Sequence, residues 1–211
     1  MKFNMKFCVL AGVLAATAVG LSGCLPLVVG GAVMGGMVAT DRRTSGTYVE
    51  DEGIEIKAAL RIRERLGERV HINVTSYNRQ VLLTGEAPSA QDKQLVEQVV
   101  AQVENVRNTV SEISILGNST LTQRSSDAVV TGRVRAKLLD ARDLFANSFK
   151  VVTERGTVYL MGRVSEREAN RATEIITATS GVQRLVRVLE VITEEELTRM
   201  LPPPSAPATK N

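Results

Sequence analysis

Aromatic side chains are scarce in this sequence. Its 211 residues include no tryptophan, four phenylalanines and three tyrosines. Proteins that bind single-stranded nucleic acid stack bases on such rings, so the scarcity argues against a nucleic-acid partner. The formal net charge of +3 does not weaken this argument, because Lys2 and Lys6 near the N-terminus supply two of the three charges.

Histidine and cysteine are also rare. His71 is the only histidine, and the sequence offers no second candidate with which to build a Ser/His/Asp or Cys/His arrangement. The two cysteines, Cys8 and Cys24, lie near the N-terminus, and no spacing typical of metal ligands occurs. The sequence therefore predicts a protein that is not an enzyme, uses no metal or other cofactor, and has no small-molecule substrate.

The first 23 residues have the pattern of a signal peptide. Lys2 and Lys6 form a basic segment, and residues 7–21 are mostly apolar. This run is shorter than the roughly 20 residues that a membrane-spanning helix needs. The segment Leu21-Ser22-Gly23-Cys24 resembles the lipobox of bacterial lipoproteins, so we expect cleavage before Cys24 and lipid attachment to it. A signal peptide cut elsewhere and an uncleaved anchor are the alternatives.

A lipidated Cys24 determines how the mature chain meets the membrane. Cys8 is removed with the signal, so no thiol remains for a disulfide, a metal site or a nucleophile. In lipoproteins of this class, an aspartate after the lipidated cysteine favours retention in the inner membrane, whereas Leu25 stands here. The resemblance therefore implies a lipid anchor in the outer membrane of a Gram-negative bacterium, on its periplasmic face.

The two ends of the mature chain have the composition of flexible segments. Residues 24–49 begin apolar and glycine-rich and turn polar at Thr40-Asp41-Arg42-Arg43. Because glycine has a low helix propensity, we expect a lipidated flexible tether; a helix-packing face at Gly31 and Gly35 is the alternative. Residues 194–211 contain a proline-rich stretch and are expected to form a disordered tail.

An internal repeat occupies the rest of the chain. Residues 81–87 match residues 158–164 at an offset of 77. Positions of the first predicted helix match at an offset of 76: Ile54, Ala58 and Ile62 with Val130, Val134 and Leu138. We therefore predict two copies of one domain, at residues 50–116 and 125–193, joined by a linker at 117–124.

Each copy has the predicted order helix, strand, strand, helix, strand. In the second copy, the first helix follows from the helical spacing of Val130, Val134 and Leu138, with Ser125 or Ser126 as its N-cap. The other elements are expected at residues 149–153, 157–161, 166–179 and 182–192, with hairpin turns at Arg155-Gly156 and, in the first copy, Asn78-Arg79. The predicted fold class is α+β: two tandem αββαβ sandwiches, each a three-stranded sheet with two helices on one face.

These features resemble the BON domain family. The resemblance rests on the αββαβ order and on a glycine that closes the second strand of each hairpin, Gly85 and Gly162. With the lipobox and the Thr40-Asp41-Arg42-Arg43 segment, the chain resembles outer-membrane lipoproteins that carry two BON domains. The resemblance covers the mature chain except its proline-rich tail. It implies phospholipid binding, a role in envelope integrity and no enzymatic activity.

The two copies differ in charge. Residues 50–116 carry eight Lys/Arg and eleven Asp/Glu, a net charge of −3, whereas residues 125–193 carry eleven and eight, a net charge of +3. The basic copy suits an anionic phospholipid membrane, where cationic side chains are attracted to the headgroups. The acidic copy suits contact with the second copy or with a protein partner.

The first helix of the second copy is the candidate membrane contact. If Val130 faces the sheet, residues four apart form an outward stripe beside it. Cationic side chains can reach the headgroups there while apolar neighbours bury. The predicted lipid-binding residues are Val129, Arg133, Arg135, Lys137, Leu139, Arg142 and Phe145. The alternative is a solvated basic face, with Leu144 and Phe145 completing the core.

Two further expectations concern partners. Arg42 and Arg43 in the predicted tether are a second candidate for headgroup contact. The alternative function is a scaffold that docks onto an outer-membrane assembly machine or the cell wall through exposed strand edges, with lipid on Cys24 serving only as an anchor. Binding of the chain without its lipid to pure vesicles separates these functions.

Overall fold

The computed structural model describes residues 41–200. The helices in this range are α1 (Ser45–Leu66), α2 (Ala90–Ala101), α3 (Leu121–Asp140), α4 (Glu166–Thr177) and α5 (Glu194–Met200). The strands are β1 (His71–Tyr77), β2 (Gln80–Ala87), β3 (Asn108–Ile115), β4 (Phe149–Glu154), β5 (Thr157–Ser165) and β6 (Arg184–Ile192). None of these helices is long and apolar enough to cross a membrane. The predictions for residues 1–23, Cys24, the tether up to residue 40 and the tail from residue 201 lie outside the described residues.

Two helices extend into segments for which the sequence predicts flexible chain. α1 occupies the last five residues of the predicted tether (24–49), because the Thr44 side chain accepts a hydrogen bond from a first-turn N–H group. α5 occupies the start of the predicted tail (194–211). There the Thr193 side chain caps the helix and Leu197 is buried, which gives the short segment a fixed position.

The start of α3 also differs from the prediction. The Thr120 side chain and the Gln123 side chain form a capping box, in which each accepts a hydrogen bond from the other's backbone N–H. The helix therefore begins within the predicted linker (117–124), and the expected caps, Ser125 and Ser126, lie inside it. A reciprocal cap satisfies two backbone donors, whereas a single serine satisfies one.

Each copy folds into a three-stranded sheet whose middle strand is the second strand of the hairpin. The strand orders are β1-β2-β3 and β4-β5-β6, with the hairpin pair antiparallel and the other pair parallel. The predicted turn residues, Asn78-Arg79 and Arg155-Gly156, all have positive φ, as a tight two-residue hairpin requires. The predicted α+β fold with two αββαβ copies is confirmed.

An aspartate on the first helix holds the hairpin turn in both copies. Asp51 on α1 accepts hydrogen bonds of 2.8 Å from the backbone N–H groups of both turn residues. Asp127 on α3, at the matching position of the second copy, accepts two bonds of 2.8 Å from the turn there. Both carboxylates are buried. Because bonds to an ionised acceptor are the stronger kind, each aspartate fixes its hairpin against its helix.

The two helices of each copy pack on one face of its sheet, as predicted. In the first copy the core contains Ile54, Ala58 and Ile62 from α1, Val96 and Val100 from α2, and Val81 and Leu83 from β2. In the second copy it contains Val130, Val134 and Leu138 from α3, Ala169, Ala172 and Ile176 from α4, and Val158 and Leu160 from β5. The predicted inward positions of α3 are therefore all buried.

The opposite faces of the two sheets pack against each other. This third core contains Tyr77 and Leu82 from the first copy and Tyr159, Met161 and Val188 from the second. Alternate residues of β2 and β5 point to opposite faces of their sheets, so both middle strands are apolar on both faces. The sequence left open whether the copies touch, and the structure shows that they do.

Ion pairs between the copies use part of the opposite charge that the two copies carry. Three pairs each join an acidic residue of the first copy to a basic residue of the second. They are Glu55 with Lys150 at 2.5 Å, Glu86 with Arg155 at 2.6 Å and Glu112 with Arg184 at 3.0 Å. The acidic first copy thus neutralises cations of the basic second copy.

The repeat glycines give a first test of this fold. A Cβ on Gly85, where φ is 109°, would lie 2.0 Å from the His71 carbonyl oxygen, and a Cβ on Gly162 would lie 2.5 Å from that of Ser148. We expect Gly85→Ala and Gly162→Ala each to lower the free energy of unfolding by at least about 2 kcal/mol, because the adjacent backbone must move. Urea unfolding measures the change.

The control is Gly132→Ala on α3, where an added Cβ meets no atom within 4 Å. This variant should gain about 0.5–1 kcal/mol, since alanine favours a helix over glycine. Equal stability of all three variants would contradict the close approach.

Candidate lipid-binding surface

The structure places most of the predicted lipid-binding residues on the solvent side of α3. Val129 is 53% exposed and Leu139 is 67% exposed, and the side chains of Arg133, Arg135 and Lys137 are also exposed. Arg133 donates a 3.4 Å hydrogen bond to the Ser180 carbonyl, and Arg135 donates one of 3.3 Å to that of Val151. Both guanidinium groups are therefore held by backbone oxygen, and neither forms an ion pair with another residue of the described range 41–200.

The solvent side of α3 has an uncharged centre and cationic borders. Successive helix residues are rotated by about 100°, which places five of residues 128–140 on the side away from the core. We call them the α3 outer face: Ala128, Val129, Gly132, Ala136 and Leu139. Arg135 lies on one border, and Arg133 and Lys137 lie on the other, while Asp140 is an acidic residue at the helix end. An apolar strip between cationic borders is typical of helices that lie in the headgroup layer.

Comparison of the two copies shows that the cations of α3 lack the partner that their counterparts have. In the first copy, Lys57 and Arg61 lie 3.5 Å and 3.0 Å from Glu104. The matching residues of the second copy, at the offset of 76, are Arg133 and Lys137, and Glu104 is replaced by Ser180. Within residues 41–200, neither of these two cations forms an ion pair. The second copy therefore lacks the carboxylate that partly offsets the two cations of the first copy.

The segment after α3 divides into a buried and an exposed part. Leu144 is buried and joins the core of the second copy, whereas Phe145 is 45% exposed. The Arg42 guanidinium lies 5.7 Å from the centre of the Phe145 ring. Arg142 is exposed, beyond the end of α3. Of the two residues that the alternative assigned to the core, the structure places only Leu144 there.

Arg42 is buried against the second copy, and the expectation that it contacts headgroups is wrong. Its guanidinium forms two parallel bonds of 2.7 Å to Glu168 and donates a third of 2.9 Å to the Arg163 carbonyl. The side chains of Arg42 and Glu168 are 3% and 1% exposed. Burial alone would raise the pKa of Glu168, but bonds from Arg42 and from the Ser165 N–H hold that pKa below its ordinary value.

Arg43 is bound to the first copy in the same way. It contacts Asp41 at 2.7 Å and Asp51 at 2.8 Å, and its guanidinium lies 4.9 Å from the centre of the Tyr48 ring and 4.4 Å from that of the Tyr77 ring. Burial and the Asp41 charge raise the pKa of Tyr77 to about 12. We call Asp41, Arg42 and Arg43 the N-terminal clamp, because neighbouring residues fasten the start of the described chain to both copies.

The N-terminal clamp brings the chain to the edge of the α3 outer face. Asp41 lines a cavity of about 300 Å³ together with Arg135, Leu139 and Phe149. Arg135 and Leu139 belong to the predicted lipid-binding set. The chain therefore enters the described structure beside residues that we expect to contact lipid.

His71 belongs to an ionic group between the copies. Its Nδ1 atom lies 3.2 Å from Glu86, which also accepts bonds from Arg155 at 2.6 Å and from the Ser119 N–H at 3.1 Å. His71, Glu86 and Glu154 offer three potential metal ligands within 4.8 Å of one another, which no spacing in the sequence indicated. Both oxygens of Glu86 are already occupied, so the group as it stands joins the two copies.

The pKa values of Glu86 and Glu154 are shifted in opposite directions. Burial would raise the pKa of Glu86, but the bonds from Arg155, Ser119 and His71 lower it. Burial raises the pKa of Glu154, and the nearby charges of Glu86 and Asp127 raise it further, against one bond from Asn73. The contrast follows from the cation, because Arg155 contacts Glu86 and not Glu154.

Sequence reasoning missed the residues that join the copies. The partners of Arg42 and Arg155 lie 126 and 69 residues away along the chain, so periodicity carries no trace of them. Asp51 and Asp127 did leave a signal, because an aspartate precedes the first inward residue by three positions in both copies.

The N-terminal clamp predicts a stability cost. We expect Arg42→Ala and Glu168→Gln each to lower the free energy of unfolding by about 3 kcal/mol, because each leaves a buried group without its partner. The double variant should lose less than the sum of the two. Urea unfolding of the four proteins gives the coupling energy. Arg167→Ala, an exposed arginine on the same helix, is the control and should leave stability unchanged.

The same pair predicts a dependence on pH. The pKa of Glu168 is lowered in the folded state from an ordinary value of 4.5, so its stabilising contribution is complete above that pH. This contribution is lost as the pH falls through the lower folded pKa. The stability difference between the parent and Glu168→Gln should therefore shrink below about pH 4.5. A difference that stays constant from pH 7 to pH 3 would show that the ion pair contributes nothing.

Comparison with known proteins identifies the family. The BON domain model matches the chain twice, at residues 55–117 and 126–193. The chain is 32% identical over 174 residues to the outer membrane lipoprotein DolP of Haemophilus influenzae, covering 82% of this chain and 90% of that protein. It is also 32% identical over 154 residues to a 21 kDa hemolysin of Actinobacillus pleuropneumoniae, covering 72% and 79%.

Among solved structures, CdsD, a structural protein of the type III secretion system of Chlamydia trachomatis, is similar at 13% identity. That similarity covers 72% of this chain and 96% of the CdsD chain, with a TM-score of 0.30. The two matches to the family model span more than half of the sequence, and they coincide with the two αββαβ units of the structure. The chain belongs to the BON domain family and carries two copies of its domain.

Proposed function

We propose that this protein is a lipid-anchored, non-enzymatic component of the outer membrane that binds anionic phospholipid through α3 and supports outer-membrane integrity. The observation that carries the proposal is the uncompensated charge of Arg133 and Lys137 beside an apolar outer face. A helix of this kind can place its cations at the headgroups while Val129 and Leu139 enter the interface.

The anchor and the fold support the same assignment. A similar protein, the DolP of Haemophilus influenzae, is named an outer membrane lipoprotein, and the lipobox of this chain predicts lipid on Cys24. The clamp brings the chain in beside Arg135 and Leu139. The tether that follows Cys24 would therefore lead from the bilayer to the side of the molecule that carries α3.

The test is binding to lipid vesicles without the anchor. The mature chain with Cys24→Ser should co-sediment with phosphatidylglycerol vesicles, more strongly at low salt than at moderate salt, and should not bind phosphatidylcholine vesicles. Both domains must be present, because an isolated second domain would expose Tyr159, Met161 and Val188. Arg133→Glu with Lys137→Glu should weaken binding at least about tenfold.

Two controls separate a local effect from a change in net charge. Arg65→Glu with Arg107→Glu makes the same charge change on exposed residues of the first copy and should leave binding nearly unchanged. Ser180→Glu restores the carboxylate that the first copy has at Glu104, and should weaken binding by neutralising Arg133 and Lys137. Equal loss in the control and in the α3 variants would contradict a specific surface.

A tryptophan substitution tests whether α3 enters the membrane interface. Since the chain has no tryptophan, Leu139→Trp gives a single emission, which should shift to the blue on anionic vesicles. If the chain without lipid binds neither kind of vesicle, the scaffold function remains, with docking onto an outer-membrane assembly machine or the cell wall and Cys24 as anchor only.

A further inference from the structure

Helix α1 carries apolar residues on two opposite sides. Its inner side packs Ile54, Ala58 and Ile62 into the core of the first copy. Its other side carries what we call the α1 outer stripe: Val49, Gly53, Ile56 and Leu60. The three large side chains of this stripe are 69%, 59% and 55% exposed. The core therefore does not account for them.

The α1 outer stripe has the geometry of a helix-packing seam. Its residues follow one another at intervals of four, three and four, which at about 100° per residue places all four within about 60° of the helix surface. Intervals of this kind form the seam that one helix offers to another. Gly53 adds a notch, because a Cβ placed there meets no atom within 4 Å. A large side chain from a second helix can enter that notch.

The charges of α1 favour an antiparallel partner of the same sequence. Its N-terminal half carries Glu50, Glu52 and Glu55, and its C-terminal half carries Lys57, Arg61, Arg63, Glu64 and Arg65. Ion pairs within the chain already engage Glu50, Glu55, Lys57 and Arg61, which leaves Glu52 in the acidic half and Arg63 and Arg65, against Glu64, in the basic half. An antiparallel pair of two such helices sets each acidic half against the basic half of the other, and opposes the helix dipoles. A parallel pair would set like charges together.

We propose that the α1 outer stripe binds the same stripe of a second copy of this chain, in antiparallel orientation. The pairs Gly53/Ile56 and Val49/Leu60 are both centred between residues 54 and 55. A two-fold axis through that point therefore places Ile56 of each chain over Gly53 of the other, and Val49 of each chain beside Leu60 of the other. Large side chains then face the notch, and every residue of the stripe is covered.

The contact is small and suits a membrane surface. A single stripe buries less than the roughly 1,200 Å² of stable protein interfaces, so pairing is weak in dilute solution. Attachment to one bilayer raises the effective concentration of the two copies. Pairing through α1 does not require phospholipid binding by α3, so the two proposals can fail separately.

The orientation can be tested by cysteine cross-linking in the full-length, lipidated chain in isolated membranes. Four variants carry one new cysteine each: Val49→Cys, Gly53→Cys, Ile56→Cys and Leu60→Cys. At 1.5 Å per residue, a cysteine at position 53 or 56 lies about 4.5 Å along the axis from its symmetry mate, whereas one at 49 or 60 lies about 16 Å away. Disulfides need Cα atoms within about 7 Å.

We therefore expect a specific pattern under mild oxidation. Gly53→Cys and Ile56→Cys should each form a disulfide-linked dimer. Val49→Cys and Leu60→Cys should form one only when the two variants are produced together. The parent chain controls for Cys8 and Cys24. Gln98→Cys on α2, an exposed position that belongs to neither proposed surface, controls for random collision.

Three outcomes would overturn the proposal. Dimer yields no higher than those of Gln98→Cys would show that the stripe does not pair. Self-cross-linking of all four single variants, without a mixed product, would show a parallel pair. Cross-linking to a different protein would assign the stripe to that partner.

A second variant guards against trivial loss. Ile56→Asp should lower the yield of the mixed cross-link between positions 49 and 60 at least about tenfold, since burying an unpaired carboxylate is costly. Its melting temperature as a monomer should match that of the parent, because Ile56 contributes nothing to the core. An unchanged mixed cross-link in Ile56→Asp would also overturn the proposal.

Discussion

The contact between the two sheets is the constraint on which the rest of the structure depends. Leu82 of β2 and Met161 of β5 are fully buried in it, and Tyr77, Tyr159 and Val188 surround them. Each middle strand therefore has one apolar face for its own helices and one for the other copy. The two domains therefore form a single unit. An isolated copy would expose the sheet face that packs against the other copy.

This packing decides which surfaces are left for function. With the inner sheet faces used, the outer sides of the first helices, α1 and α3, face solvent in the two copies. Matching positions differ there: Glu104 forms ion pairs with Lys57 and Arg61 on α1, whereas Ser180 offers no carboxylate to Arg133 and Lys137 on α3. The same domain fold thus carries the apolar α1 outer stripe in the first copy and a cationic helix surface in the second.

Local patterns predicted the elements, and long-range contacts escaped prediction. Helical spacing located Val130, Val134 and Leu138 in the core, and the two-residue turns were recognisable because positive φ favours asparagine and glycine. The uninterrupted apolar run at residues 158–161 is typical of a strand buried on both faces, but the predicted one-sided sandwich made no use of this signal. The prediction that Arg42 contacts headgroups was wrong, because the sequence Arg42-Arg43 does not distinguish a solvated tether from a buried ion pair whose partner is 126 residues away.

The buried N-terminal clamp would link the proposed lipid anchor on Cys24 to the orientation of the domains. A flexible tether alone would let the pair of domains tumble at the membrane, since its length sets only a reach. Arg42 and Arg43 fasten the chain to both copies through bonds to Glu168 and Asp51. The point of attachment is therefore fixed at Asp41, beside Arg135 and Leu139. If lipid on Cys24 anchors the chain as proposed, entry at this point would shorten the search of α3 for the bilayer, because fewer orientations of the molecule would be open to it.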